Sequence, residues 1–200
     1  MPDAARCRVP AEPASRRERP LLMVFTGEGK GKTTAAMGMA LRAWHRGWPI
    51  GVFQFIKSGR WPTGERAAFQ ALDAAHRDSG VGAPVHWESL GSGFTWLPRR
   101  TGPDPAELAQ HGWSRVAQAL ATQQYTFVLL DELSYPLARG WVDVEEVVAA
   151  LAARPGFQQV AITGRGCPEA LLAAADLVTT MTKVRHPFDA GHRGQQGIEW

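Results

Sequence analysis

A glycine-rich segment near the amino end of the chain has the residue types that bind phosphate. It follows the apolar run 21–26, opens a helical pattern and reads Thr26-Gly27-Glu28-Gly29-Lys30-Gly31-Lys32-Thr33-Thr34. Glycines let backbone N–H groups turn towards an anion, and a helix amino terminus adds a partial positive charge. Lys32 can reach the outer phosphates of a nucleotide, and the Thr33 hydroxyl can bind Mg²⁺. The segment therefore predicts a nucleotide site.

The spacing of this segment departs from the usual pattern G-x-x-x-x-G-K-[ST]. Counting back from Gly31 places Thr26 where the first glycine belongs, and counting from Gly27 leaves the loop one residue short. A glycine-rich turn without a ligand is the alternative. The combination of strand, glycines, lysine, threonine and helix favours the phosphate site.

Two acidic residues, Asp131 and Glu132, end a second apolar run. Open α/β sheets bind ligands at the carboxyl ends of their strands. Asp131 can hold Mg²⁺ directly or through water, while Glu132 can join it or, in a hydrolase, orient an attacking water. We predict a metal site made by Thr33, Asp131 and Glu132.

An arginine follows another apolar run, in the sequence Thr163-Gly164-Arg165. This run is predicted to end at the same edge of the sheet. Arg165 can clamp a phosphate through two parallel hydrogen bonds. The alternative is an ordinary surface arginine near a turn.

The elements that must position these residues alternate short apolar runs with helical stretches, which predicts an α/β fold with a mostly parallel sheet flanked by helices. A length of 200 residues suits one such domain. Asp143 and Glu146 have the spacing of a capping box. The predicted strands are 21–26, 50–56, 85–90, 126–131, 159–163 and 177–181, and the predicted helices are 32–46, 65–75, 105–123, 144–153 and a short one after Pro168.

Composition narrows the class of protein. No apolar stretch reaches the roughly 20 residues of a membrane span, and none near the amino end resembles a signal peptide, so we expect a soluble, cytoplasmic protein without membrane contact. The two cysteines, Cys7 and Cys167, lack metal-ligand spacing, which suits a reducing compartment.

The net charge of +3 and a pI near 9.2 raise the question of a nucleic-acid partner. Residues 1–20 hold five arginines against three acids, and the rest of the chain holds 17 basic and 16 acidic residues. We therefore expect no nucleic acid, a flexible Arg- and Pro-rich arm over 1–20 and the P-loop domain over 21–200. The alternative is an arm that orders over a ligand or a partner subunit.

The segments that carry a resemblance to a known family are, in order, VFTGEGKGKTTAA, QFIKSGRWPTGE, GFTW, LLDELSY, ITGRGCP and KVRHPFDAG…QGIEW. Together they resemble the ATP:cob(I)alamin (corrinoid) adenosyltransferases of the RecA-like P-loop type, over about residues 21–200. No segment alone is specific to that family. The short phosphate loop is a family feature, so its unusual spacing supports the resemblance.

The resemblance implies a reaction in which the Co(I) of a reduced corrinoid attacks the 5′ carbon of ATP and triphosphate leaves. Lys32, a Mg²⁺ ion at Thr33 and the acidic strand end, and Arg165 would then stabilise the leaving group electrostatically. No general base is needed, so Glu132 is assigned to the metal rather than to activating water.

The resemblance also implies a corrinoid-facing set of residues. An aromatic pair such as Phe94 and Trp96 in a glycine-rich loop more often anchors the loop than contacts a cofactor. In the family, the matching aromatics pack near the lower face of the corrin ring and help displace the lower cobalt ligand, which eases reduction. Lys57, Trp61 and Glu65 match another family segment, with one residue added between Lys57 and Trp61.

Other positions carry weaker expectations. Glu28 stands where the family commonly has a neutral Asn, and no role is assigned to it. His186 and the ending 197–200 match family positions, with a structural role equally open. The resemblance implies a homodimer and a flavodoxin-type or other reductant, and it leaves cobyrinic acid diamide, cobinamide and cobalamin open as the natural substrate.

Two other functions fit part of the same pattern. A generic P-loop ATPase or kinase would use Lys32, Thr33, Asp131 and Glu132 unchanged but would release phosphate or a phosphorylated acceptor. A RecA-like nucleic-acid-binding module is supported by the basic tail and the pI alone.

Overall fold

The computed structural model describes residues 19–56, 63–91 and 104–198. Strands and helices alternate through these ranges. The strands are β1 (Leu22–Thr26), β2 (Ile50–Gln54), β3 (Val85–Ser89), β4 (Phe127–Asp131), β5 (Gln159–Thr163) and β6 (Leu177–Thr180). The helices are α1 (Lys32–His45), α2 (Gly64–Ser79), α3 (Pro105–Ala121), α4 (Ser134–Ala138), α5 (Val144–Ala153), α6 (Glu169–Ala174) and a 3₁₀ helix (Pro187–Ala190). Every predicted element is present, and α4 and the 3₁₀ helix were not predicted.

The strands form one parallel sheet in the order β3-β2-β4-β5-β1-β6. This confirms the predicted α/β class. Strand β5 lies between β4 and β1, so the carboxyl ends of these three strands meet at one edge. The phosphate segment follows β1, Asp131 ends β4 with Glu132 directly after it, and Arg165 follows β5. The strand order therefore brings the three predicted pieces of the site to the same edge.

The sheet is covered on both faces, which explains why the four inner strands β1, β2, β4 and β5 are buried and largely apolar, whereas the edge strands β3 and β6 are partly exposed. In β1, Leu22 and Val24 belong to one core cluster with residues of α3 and α5, whereas Met23 and Phe25 belong to the other with residues of α1. Successive strand side chains point to opposite faces, and both faces of a sheet with helices on each side must be apolar.

Local signals explain several helix ends. The Thr63 hydroxyl accepts a hydrogen bond from the Arg66 N–H at the start of α2, and Gly80, with φ of 70°, ends that helix. The carboxylate of Asp143 accepts from the Glu146 N–H, which is the N-cap half of the predicted capping box. The Glu146 carboxylate accepts from the indole of Trp113, which ties α5 to α3.

The two unpredicted helices are short. Helix α4 has five residues and contains Pro136, so it offers no periodic pattern long enough to recognise. Within the described ranges, no helix combines the length and the apolar character needed to cross a bilayer.

Candidate active site

The phosphate loop connects β1 to α1 and depends on glycine at two bends. Gly27 has φ of 93° and Gly31 has φ of 108°, a left-handed region that favours glycine. A Cβ at Gly27 would lie 2.5 Å from the carbonyl oxygen of Met181, so a side chain there would also clash. The loop thus packs against the chain that follows β6, where the Gly29 N–H donates to the Met181 carbonyl at 2.6 Å.

Lys32 spans the loop from the first turn of α1. Its side chain is buried, and its Nζ donates to the carbonyl oxygens of Gly27 and Gly29, both at 2.7 Å. Burial lowers the pKa of Lys32 from its ordinary value, and the nearby charge of Arg165 lowers it further, whereas Glu132 and Glu28 act in the opposite direction. Because the buried ammonium group of Lys32 is hydrogen-bonded to neutral carbonyls, an anion that binds beside it would stabilise its charge.

Asp131 is the centre of a buried hydrogen-bond network at the end of β4. It is fully buried, and its Oδ1 accepts from the hydroxyls of Thr33 and Thr163, each at 2.8 Å. Its Oδ2 accepts from the side-chain amide of Gln54 at 3.0 Å. The structure therefore places Thr33 and Asp131, two of the predicted metal ligands, in direct contact.

Glu132 sits on a strained backbone next to this network. It is one of two described non-glycine residues with positive φ, at 61°. Its N–H donates to the Thr163 hydroxyl at 3.1 Å, so one hydroxyl serves both acidic residues. A left-handed conformation costs a non-glycine residue about 1–3 kcal/mol and is typical of functional sites.

Arg165 lies beside the phosphate loop, as its position after β5 predicted. Its guanidinium is 3.5 Å from the carboxylate of Glu28, and both side chains are about two-thirds exposed. The Ser134 hydroxyl donates to the Arg165 carbonyl at 2.7 Å and holds the turn in place. Glu28 therefore points towards Arg165 at the mouth of the loop, which gives the residue a partner that the sequence did not reveal.

The remaining predicted residues divide into three groups. Lys30 and Thr34 are exposed on and after the loop, and Glu65 is partly buried in the first turn of α2. The Nδ1 of His186 accepts from the Phe188 N–H and caps the 3₁₀ helix. The residues that lie outside the described ranges are Lys57, Trp61, Phe94, Trp96, Glu199 and Trp200.

Sequence reasoning did not assign roles to Gln54, Thr163 and Met181. Gln54 interrupts the apolar run of β2, and a buried amide within such a run is a signal that a partner is needed. Thr163 ends the strand before Arg165, and its role follows only from the position of β5 between β4 and β1. Met181 contacts the loop through its backbone atoms, and such contacts cannot be predicted from the residue type.

Comparison with known families decides between the functions that share this geometry. The model of the family ATP:corrinoid adenosyltransferase BtuR/CobO/CobP matches residues 18–200. The chain belongs to this family. The α/β fold, the buried lysine of the phosphate loop and the acidic strand end are therefore those of a corrinoid adenosyltransferase, which uses ATP and a corrinoid as substrates.

Characterised relatives support this assignment over nearly the whole chain. The corrinoid adenosyltransferase CobA of Salmonella typhimurium is 42% identical over 186 residues, which cover 93% of this chain and 88% of that protein. The corrinoid adenosyltransferase of Escherichia coli is 43% identical over 183 residues, covering 92% and 87%. That of Pseudomonas aeruginosa is 40% identical over 186 residues, covering 93% and 86%.

A more distant likeness concerns the fold alone. The crystal structure of the flagellar accessory protein FlaH from Methanocaldococcus jannaschii superposes with a TM-score of 0.54 at 13% identity, over 80% of this chain and 70% of that one. The family match and the curated relatives, rather than this likeness, confirm the predicted family and activity. The generic ATPase and the nucleic-acid-binding module are not needed to explain the site.

Proposed function

We propose that this corrinoid adenosyltransferase moves the 5′-deoxyadenosyl group of ATP to the Co(I) of a corrinoid and releases triphosphate. The observation that carries the proposal is the meeting of a buried Lys32 with the Thr33–Asp131 pair at one edge of the sheet. These groups suit a polyphosphate leaving group, because they offer positive charge and metal-binding oxygens at a single place.

The residues present fit Mg²⁺. The Thr33 hydroxyl and the Asp131 carboxylate give an all-oxygen donor set, which this ion prefers. The described residues contain no group of three or more His, Cys, Asp or Glu side chains that could enclose a metal. We assign Thr33, Asp131 and Glu132 to this ion, with phosphate and water oxygens completing its shell. Bound there, Mg²⁺ would neutralise charge on the triphosphate.

The protein's own contribution is electrostatic preorganisation. Lys32 exchanges its hydrogen bonds to the Gly27 and Gly29 carbonyls for bonds to phosphate oxygens. The negative charge of the triphosphate then favours the protonated form of Lys32, which burial disfavours. Arg165 leaves Glu28 and binds the outer phosphates. The remaining loop residues, Gly31, Lys30 and Thr34, shape the anion cradle and the start of α1.

The corrinoid half of the site rests on the family relationship. We assign Phe94 and Trp96 to the lower face of the corrin ring, and Lys57, Trp61 and Glu65 to the substrate-facing connection before and at the start of α2. Glu65 lies in the first turn of α2, a helix on the same side of the sheet as α1.

The oligomeric state of the enzyme, its reductant and its location are also proposed from the family relationship. We expect a homodimer in the cytoplasm, where a flavodoxin-type or other reductant would supply the electron that reduces the corrinoid substrate from Co(II) to Co(I). The segment 1–20 would be the arm of the protein, and 21–200 its catalytic domain.

The experiment that tests the proposal follows both products together. Purified protein is mixed with Mg²⁺, ATP and chemically reduced cob(I)alamin without oxygen, and the cobalt–carbon absorbance and the phosphate species are measured. Adenosylcobalamin and triphosphate should form in equal amounts. Orthophosphate release without cobalt alkylation would contradict the proposal. Parallel runs with cobinamide and cobyrinic acid diamide rank the corrinoids.

A further inference from the structure

A row of polar side chains crosses the carboxyl ends of the strands next to the proposed metal site. Strand register places Gln54 of β2 between Ser89 of β3 and Asp131 of β4. Gln54 is 3% exposed and adjoins the apolar core. A buried amide is costly unless both its ends are hydrogen-bonded, so its partners explain why it is there.

The partners of Gln54 fix the orientation of its amide. Its Oε1 accepts from the indole Nε1 of Trp87 at 3.2 Å, and its Nε2 donates to Asp131 Oδ2 at 3.0 Å. An indole N–H can only donate, and an ionised carboxylate can only accept. The amide therefore fits in one direction, with its oxygen towards Trp87 and its nitrogen towards Asp131.

Trp87 is itself held in place by packing. Its ring contacts Phe69 of α2, with centroids 5.9 Å apart. Phe69 belongs to the core on one face of the sheet, and Trp87, which is partly buried, packs against that core. A chain of contacts thus runs from α2 through the edge strand β3 and β2 to the carboxylate that faces Thr33.

We propose that Gln54 is a positioning residue that holds the Asp131 carboxylate for the Mg²⁺–ATP complex, with Trp87 fixing the amide. The inference rests on the proposed function of Asp131. By occupying Oδ2, the amide keeps Oδ1 directed at Thr33 and Thr163. Gln54 acts through Asp131 and has no assigned contact with substrate. If Gln54 served packing alone, an apolar side chain of equal length would serve equally well.

The test is a calorimetric titration of ATP with and without Mg²⁺, since this readout does not depend on turnover. Gln54→Met keeps the side-chain length and removes the amide. We expect Mg²⁺–ATP affinity to fall about 10–100-fold, the usual effect of losing an outer-shell partner, while binding of ATP in EDTA stays unchanged. Gln159→Met, a buried glutamine at the opposite end of the sheet, is the matched control and should leave both affinities unchanged.

A second variant keeps the inference testable if Gln54→Met folds poorly. Trp87→Phe preserves an aromatic ring and removes only the donor. Losing one neutral hydrogen bond should weaken Mg²⁺–ATP binding about 2–10-fold, and the effect should not add to that of Gln54→Met. Equal losses with and without Mg²⁺ in either variant would overturn the inference.

Asp131→Asn separates this inference from the proposed function. If Asp131→Asn loses Mg²⁺-dependent ATP binding and Gln54→Met does not, the positioning role is wrong while the metal site stands. If neither variant alters the Mg²⁺ dependence, the proposed metal site is wrong, and the positioning role falls with it.

Discussion

The substitution Thr163→Val tests whether one hydroxyl supports both acidic residues of the site. Thr163 is 1% exposed, donates to Asp131 Oδ1 at 2.8 Å and accepts from the Glu132 N–H at 3.1 Å. Valine has nearly the same shape, so the change removes hydrogen bonds without leaving a cavity. A hydrogen bond to a charged group contributes about 1.5–3 kcal/mol, and a buried unpaired N–H costs about 1–3 kcal/mol.

These values set the expected loss of unfolding free energy. Asp131 keeps its bonds from Thr33 and Gln54, and Glu132 is only partly buried, so the sum is reduced to about 2–4 kcal/mol. Urea denaturation followed by circular dichroism at neutral pH, without nucleotide, measures this difference. The slope of the free energy with urea should stay constant if the variant keeps the same fold.

A matched control makes the same change at an exposed position. The Thr122 hydroxyl donates to the Gln118 carbonyl at the end of α3 and is solvent-exposed. Thr122→Val should cost less than about 0.5 kcal/mol, as surface substitutions usually do. If Thr163→Val is as mild as Thr122→Val, the hydroxyl does not support the acidic pair and the reasoning is refuted.

Three further predictions concern individual groups. Lys32→Ala should abolish adenosyl transfer and leave the far-ultraviolet circular dichroism unchanged; retained transfer would exclude the assigned phosphate site. Glu28→Gln should release Arg165 and tighten ATP binding severalfold, measured by calorimetry against Arg165→Gln, which should weaken it. Burial raises the pKa of Cys167 to about 11, so in a Cys7→Ser background its alkylation should be slow at pH 7.5 and should speed up towards pH 11. Because the unfolded thiol ionises near pH 9, the folded state should lose stability between pH 9 and 11; rapid alkylation at pH 7.5 would contradict the burial.

Much of the fold could be predicted from the sequence because its signals are local. The inner strands β1, β2, β4 and β5 are buried on both faces and therefore form apolar runs, and helices α2, α3 and α5 carry capping residues at their starts. Helix α4 was missed because five residues with an internal proline show no periodicity. Helix α2 runs four residues past its predicted end, up to the glycine at position 80.

In the candidate site, too, features within short segments could be predicted, whereas contacts between distant residues could not. The phosphate loop was predictable because its glycines, lysine and threonine lie within the short segment 26–34, and Asp131 and Arg165 were predictable because they lie at or just after the end of an apolar run. The partners of Asp131 were not, since Thr33, Gln54 and Thr163 are 98, 77 and 32 residues away from it in the chain.

By itself, the sequence determined most of the elements, the glycine-rich loop after β1 and the family resemblance, all of which depend on residue types at short or fixed spacing. Only the tertiary structure decided the strand order, which places β5 between β4 and β1 and so brings Thr163 onto Asp131. It also decided the register that sets Gln54 beside Asp131 and the contact between Glu28 and Arg165. These are pairings between distant segments, and they depend on how whole elements pack rather than on any local preference.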